Sequence, residues 1–264
     1  FVIIFSRPVK AAANGVILKA NRTYAAYDVT GDGMKDKIRI RAANQTDDEA
    51  YTSLTVSVNG KTACRLKNTR FYNVIANIYT LKNGQPFLYL YAPADNGDGP
   101  VCALLKYTNG KFRKALDFTE IMAGYGNHRI GEVTNLNGNK IVITESIVSY
   151  SLGINAINFT YKYVNGKFVP TSRYGSYKEI YSTDGSSRYF TVNSDLPAYA
   201  RPGATAVNTT LKAGSLTKII KCALISGKMY IQLECDGEIY WIKALENPPI
   251  SDNEKQFMEV RYAG

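Results

Sequence analysis

Three stretches of alternating apolar and polar residues, Leu54–Val58, Ala103–Tyr107 and Ile157–Tyr163, each lead into the tripeptide Asn-Gly-Lys. Alternation with period two gives a strand one apolar and one polar face. Asn-Gly supplies two residues that tolerate positive φ, so each tripeptide predicts a tight hairpin turn. The copies at Asn59–Lys61, Asn109–Lys111 and Asn165–Lys167 recur at roughly fifty-residue intervals, the mark of an internal repeat. A second turn precedes a second strand in every unit: Gly31-Asp32-Gly33 before Lys37–Arg41, Asn83-Gly84 before Phe87–Tyr91, and Asn137-Gly138 before Ile141–Thr144. Helical periodicity is nearly absent, and only Lys114–Met122 is expected to form a short helix.

Each unit therefore reads as four strands, the content of one propeller blade. Three units fall short of the roughly four to eight blades of a closed propeller. Residues 1–24 and 171–192 add strands, or the array is open or irregular. From about Thr191 the pattern changes to a turn-rich Asp195–Pro202, followed by short strands at Lys218–Ile220, Met229–Leu233 and Ile239–Ile242, which suggest a small barrel. The expected fold class is all-β: a propeller-like repeat domain over residues 1–190, then a small β-barrel over 191–264.

The 264 residues are 45% hydrophobic, enough for real cores and against disorder. No apolar run approaches the roughly 20 residues of a membrane-spanning helix. Phe1–Phe5 is apolar but lacks a charged n-region and a full h-region, so it is not a signal peptide. The chain starts at Phe rather than Met, which removal of an N-terminal segment or a chosen boundary both explain. The 32 Lys and Arg against 22 Asp and Glu give a net charge of +10, suited to polyanions. These cations are spread one or two at a time, which reads as diffuse solubilising charge and argues against a nucleic-acid footprint. Cys64, Cys102, Cys222 and Cys235 contain no C-x-x-C pair, which argues against zinc. Cys222 and Cys235 flank the Ser226-Gly227 turn in a register that does not place them opposite one another, and a bridge or buried thiols remain open.

The sharpest chemical signal is Asp28-Val-Thr-Gly-Asp-Gly-Met-Lys-Asp36. Asp28, Thr30, Asp32 and Asp36 place side-chain oxygens at alternate positions, the Met34 carbonyl adds another, and Gly33 permits the tight turn. That donor set suits calcium. An EF-hand would need a Glu three residues past Asp36, where Arg39 stands. Three carboxylates in one tight loop repel one another unless a cation neutralises them, so calcium in a structural role is expected.

This loop resembles the FG-GAP and VCBS type of repeat, in which Asp-x-Thr/Asn-Gly-Asp-Gly-x-x-Asp joins two strands of a blade in extracellular propeller-like proteins. The second and third units keep the turn and lose the carboxylates, so the resemblance implies one calcium-bearing blade. The C-terminal Ala198-Tyr199, Leu211–Gly214 and Tyr240-Trp241-Ile242 resemble a bacterial SH3-like domain. Such domains accompany cell-wall enzymes and surface proteins. Trp241 reads as a core residue.

Catalytic motifs are lacking. His128, the one histidine, sits in Gly124–Arg129 without a nucleophile signature and reads as a loop residue. A carboxylate-dependent hydrolase of cell wall or glycan stays open through Glu120, Glu132, Glu145, Asp95 and Asp98, none of which forms an obvious pair. The loop Ala92–Pro100, with Asp95, Asn96 and Asp98, is a second cation site, a ligand loop or a long turn. Ser149–Gly153, with Tyr150, occupies a comparable place in the third unit. If these loops share a rim, Asp95, Asn96, Asp98, Tyr125, His128 and Tyr150 form the binding surface. The function expected is a secreted or cell-surface, non-catalytic protein that binds a cell-wall or extracellular polymer, anionic by charge. The rivals are the hydrolase and a structural accessory domain of a larger surface protein.

Overall fold

A computed structural model describes residues 15–262; the apolar Phe1–Phe5 run lies outside them. The described chain is all-β, with 21 strands and three single-turn 3-10 helices. The strands form antiparallel sheets, none of them closed. Two compact units divide the chain. The first takes residues up to Thr119, Val133–Val142 and Tyr161–Val169; the second takes Glu120–Glu132, Ile143–Thr160 and everything from Pro170. Residues 143–160 and 170–190 thus fall in the second unit together with the C-terminal strands.

In the first unit, the opening repeat forms a four-stranded meander of β1's successors: β1 is Val16–Leu18, and the meander is β2 (Thr23–Tyr27), β3 (Asp36–Gln45), β4 (Tyr51–Val58) and β5 (Lys61–Phe71). Register explains its apolar face. Ile38, Ile40 and Ala42 pair with Val58, Val56 and Leu54, all buried, while Lys37, Arg39 and Arg41 point to solvent. The second repeat supplies β6 (Ile75–Thr80), β7 (Pro86–Ala92), β8 (Val101–Thr108) and β9 (Lys111–Asp117). Its sheet gains β1 at the β6 edge, where Ile17 pairs with Asn77. Ala76, Ile78, Leu88, Leu90, Ala103 and Leu105 share one core with the first meander.

The other face of this second sheet is buried as well. Phe87 packs 4.9 Å from both Tyr163 and Phe168, and Tyr89 lies 5.8 Å from Phe118. Burial on both faces is why β7 and β8 read as nearly continuous apolar runs. Turns of successive repeats are also joined: the Lys82 and Asn83 N–H groups donate to the Gly138 carbonyl (3.1 Å) and Asn139 Oδ1 (3.2 Å).

Each Asn-Gly turn has the expected geometry. Asn59, Asn109 and Asn165 have φ of 49°, 50° and 49°, and the glycines after them have 80°, 79° and 89°, matching two-residue type I′ hairpins. The expected Lys114–Met122 helix is corrected. Residues 111–117 continue β9, and only Phe118–Glu120 makes a 3-10 turn. A register shift at Leu104/Leu105 lets the adjacent Ala115 and Leu116 both face inward, and this bulge breaks the two-residue period.

The third repeat, β10 (Gly126–Asn137), β11 (Lys140–Ser149), β12 (Gly153–Val164) and β13 (Lys167–Pro170), does not end as a separate four-stranded sheet. In the second unit, β12 pairs with β14 (Tyr174–Ser182), which pairs with β19 (Leu216–Ile225). The sheet continues through β20 (Lys228–Cys235) and β21 (Glu238–Lys243), with β15 (Gly185–Ser186) on β14 and β16 (Tyr189–Thr191) on β19. β17 (Leu196–Ala198) and β18 (Thr209–Leu211) form their own ribbon. The three strands predicted at the C-terminus are all present, as the outer part of this long open sheet.

Candidate functional site

The acidic loop joins β2 to β3 in the first unit. Asp28 accepts the N–H groups of Gly31 (2.6 Å), Asp32 (3.2 Å) and Gly33 (2.8 Å). Burial pulls its carboxyl upward, but the Gly33 and Gly31 amides, the Thr30 hydroxyl and the Asp32 amide outweigh that and hold it below the ordinary carboxylate value. Asp36 is buried and accepts from the Val29 and Thr30 amides at 2.7 and 2.9 Å. Its other oxygen takes the Asn59 side-chain amide at 2.6 Å. Asn59 in turn accepts the Lys37 N–H at 2.8 Å. The first hairpin turn and the acidic loop are therefore tied through one Asp–Asn pair. Among the described residues Asp32 accepts only the Met34 amide, two positions on, and it stays exposed.

The chemistry of this donor set fits a hard cation: three carboxylates, the Thr30 hydroxyl and the Met34 carbonyl are all oxygen ligands. A carboxylate oxygen holding one N–H keeps a further lone pair. Yet among the described residues no three His, Cys, Asp or Glu side chains are gathered closely enough to hold a metal. Backbone amides meet all three carboxylates, and the Asn59 side chain adds to those on Asp36.

The other sequence-predicted residues separate into the two units. Asp95, Asn96 and Asp98 lie in the first, on the loop between β7 and β8. The Tyr91 hydroxyl donates to the Gly97 carbonyl at 2.5 Å, and the Ala94 N–H donates to the Asp98 carbonyl. A Cβ on Gly99 would stand 1.9 Å from the Ala92 carbonyl oxygen, so the loop is folded tightly onto its own stem. Asp95 and Asp98 are not fully buried, and the side chain of Asn96 lies outside the description. Tyr125, His128 and Tyr150 lie in the second unit. Tyr125 is buried and its hydroxyl donates to the Gly227 carbonyl at 2.9 Å. The Tyr150 N–H donates to the Tyr125 carbonyl at 2.9 Å, and its hydroxyl to Asn127 Oδ1 at 3.3 Å. His128 is half-buried on β10 with φ of 52°. Tyr125 and Tyr150 are thus brought together, with Tyr125 serving as a packed strut.

All four cysteines are free. Cys222 pairs in register with Ile231, and Cys235 with Thr217. Burial pushes the Cys222 thiol up to about 12, so it is protonated and inert at neutral pH.

One arrangement escaped the reading of the sequence. On the face of the second unit's sheet that Tyr199 and Ala204 partly cover, cross-strand register aligns Tyr174, Ala223, Tyr230 and Lys243 in one row. Ser176, Lys221, Gln232 and Trp241 form the next. The Lys221 ammonium stands 4.7 Å from the Tyr174 ring centroid and 5.9 Å from that of Trp241. Arg173 lies 5.2 Å from the Tyr174 ring, and Lys243 lies 5.0 Å from Tyr199. Further along, Lys218 sits 5.9 Å from Tyr189 and opposite Glu234 in register. Trp241 is 4% exposed and packs with Tyr199 and Tyr230, in keeping with the core role read for it. The signal was present in the alternation of Ile239, Trp241 and Lys243, but only strand pairing brings Tyr174 and Lys221 beside them.

These features define an all-β protein built from open antiparallel sheets. No protein-family model matches the chain, and no curated protein or solved structure is significantly similar to it.

Proposed function

We propose that the protein is a secreted or cell-surface, non-catalytic binding protein that engages an anionic cell-wall or extracellular polymer. The observation that carries this reading is the set of cations held over aromatic rings in the second unit: Arg173, Lys221 and Lys243 against Tyr174, Trp241 and Tyr199. A cation over a ring keeps its full charge, whereas one paired with a carboxylate is neutralised. With a net charge of +10, that charge is available to a polyanion. In this reading the Asn-Gly-Lys units are repeats of the FG-GAP/VCBS type and residues 191–264 an SH3-like module. Pull-down with isolated cell wall tests the reading. The protein is expected to sediment with the wall at low salt and to be released as salt rises, because exposed charge contacts are screened. A protein that stays in the supernatant at low salt sinks the proposal.

Calcium at Asp28, Thr30, Asp32, Asp36 and the Met34 carbonyl belongs to the same proposal, as a structural ion of the first repeat. A ligand present at 100 times its dissociation constant stabilises the folded state by about 2.7 kcal/mol. Chelation is therefore expected to lower the melting temperature by several degrees, and readdition of calcium to restore it. Identical melting curves with chelator and with calcium would remove calcium from the account.

A further inference from the structure

We infer that the uncovered part of the β14, β19, β20 and β21 face that carries Lys221 and Lys243 is the binding site for an anionic glycan, a chain of sugar rings bearing carboxylate or phosphodiester groups. The inference rests on the reading of the protein as a polymer-binding protein and adds both the site and the ligand class. Four strands at about 4.8 Å spacing set two adjacent cross-strand rows, in which Ala223, Tyr230 and Trp241 are covered and Tyr174, Ser176, Lys221, Gln232 and Lys243 stay open to a polymer. Lys221 and Lys243 stand on β19 and β21, two strands apart, and Arg173 precedes β14. Lys221 is held 4.7 Å from the Tyr174 ring. An ammonium already resting on a ring loses less side-chain freedom when it meets an anion, which favours binding.

The groups beside these cations separate a glycan from a nucleic acid. Single-stranded nucleic acids are held by open ring faces on which bases stack. Here Trp241, Tyr230 and Tyr199 are 4%, 4% and 7% exposed, and half-buried Tyr174 carries cations on its ring. Ser176 and Gln232 stand directly next to Lys221 in register. A hydroxyl and an amide both donate and accept, which is what sugar hydroxyls require. Charge from Lys221, Lys243 and Arg173, flanked by Ser176 and Gln232, is the pattern of a site for acidic sugars.

The test uses the full chain and four immobilised polymers: alginate (a polyuronate), phosphomannan (phosphodiester-bearing), neutral dextran and oligo(dT). Wild-type protein is expected to bind alginate, phosphomannan or both, and dextran and oligo(dT) at least tenfold more weakly. The arm that binds tells carboxylate from phosphodiester. The double variant Lys221→Gln/Lys243→Gln is expected to lose about tenfold in affinity with an unchanged melting temperature. Lys61→Gln/Lys111→Gln removes the same charge from two exposed turns of the first unit and is expected to bind as wild type. Tyr174→Ala is expected to weaken binding as well. Equal losses in both double variants, or none in Lys221→Gln/Lys243→Gln, overturn the face as the site. Binding to cell wall but to neither anionic glycan, or equal binding to oligo(dT), overturns the ligand class. Failure to bind cell wall or any polyanion overturns the underlying reading itself.

Discussion

Replacing Phe87 with alanine is expected to lower stability by about 3–5 kcal/mol, the largest loss of any single change considered. Phe87 is 1% exposed and sits 4.9 Å from both Tyr163 and Phe168, which are themselves 5.3 Å apart. The three rings meet at tilted and edge-on angles, a geometry that adds about 0.5–1.5 kcal/mol per pair beyond the area buried. Alanine removes two ring pairs and leaves a cavity that rigid strands on both sides cannot close. In a chain of this size each kcal/mol moves the melting point by roughly 2–4 °C, so calorimetry should record a drop of about 10 °C. Phe87→Leu should recover part of it by filling volume without the ring edges. A melting point within about 2 °C of wild type in Phe87→Ala would mean that the aromatic trio does not hold the second repeat to the third.

The second large effect is expected at Asp36. Alanine there strips the acceptor from the Val29 and Thr30 amides and from the Asn59 side chain. Buried donors left without a partner cost about 1–3 kcal/mol each; with partial access of water to the loop, a total of about 3 kcal/mol is expected. Asp32→Ala is the informative companion. Asp32 is exposed and among the described residues takes only the Met34 amide, so in chelator it is expected to melt as wild type. With calcium present, wild type should gain stability and Asp32→Ala should not. The pair of variants thereby separates the internal hydrogen-bond role of the loop from its ion-binding role: Asp36→Ala falls in either condition, Asp32→Ala only where calcium is bound. Equal calcium responses in wild type and Asp32→Ala would contradict Asp32 as a ligand.

The parts of this fold that were legible in the sequence are those governed by adjacent residues. Asn59-Gly60, Asn109-Gly110 and Asn165-Gly166 announce their turns because two successive positive φ values are costly for almost any other pair. Strand positions such as Ile38, Ile40 and Ala42 announce theirs by strict alternation. What remained hidden depends on residues far apart in the chain. Tyr174 meets Ala223 in register, and that pairing joins the third repeat to the C-terminal strands where the sequence pattern suggested a boundary. The β9 bulge imitated a helix because Ala115 and Leu116 are both buried. In the acidic loop, oxygen spacing is visible in the sequence, whereas the amides that meet those oxygens are not. The cations followed the same rule. Spread singly along the chain, they read as diffuse charge, yet strand pairing sets Lys221 and Lys243 on one face, with Arg173 against the Tyr174 ring beside them.

β1 pairs with β6, so residues 16–18 belong to the sheet of the second repeat although the whole first repeat intervenes. The repeats are therefore not detachable modules. A deletion that excises everything before the second repeat also strips an edge strand from the sheet it is meant to preserve, uncovering the N–H and C=O groups of β6 to pairing with other chains. Dissection of this protein should keep Val16–Leu18 in place, or graft that segment ahead of Ile75 through a hairpin turn that lets it pair antiparallel with β6, for the remaining sheet to stay soluble.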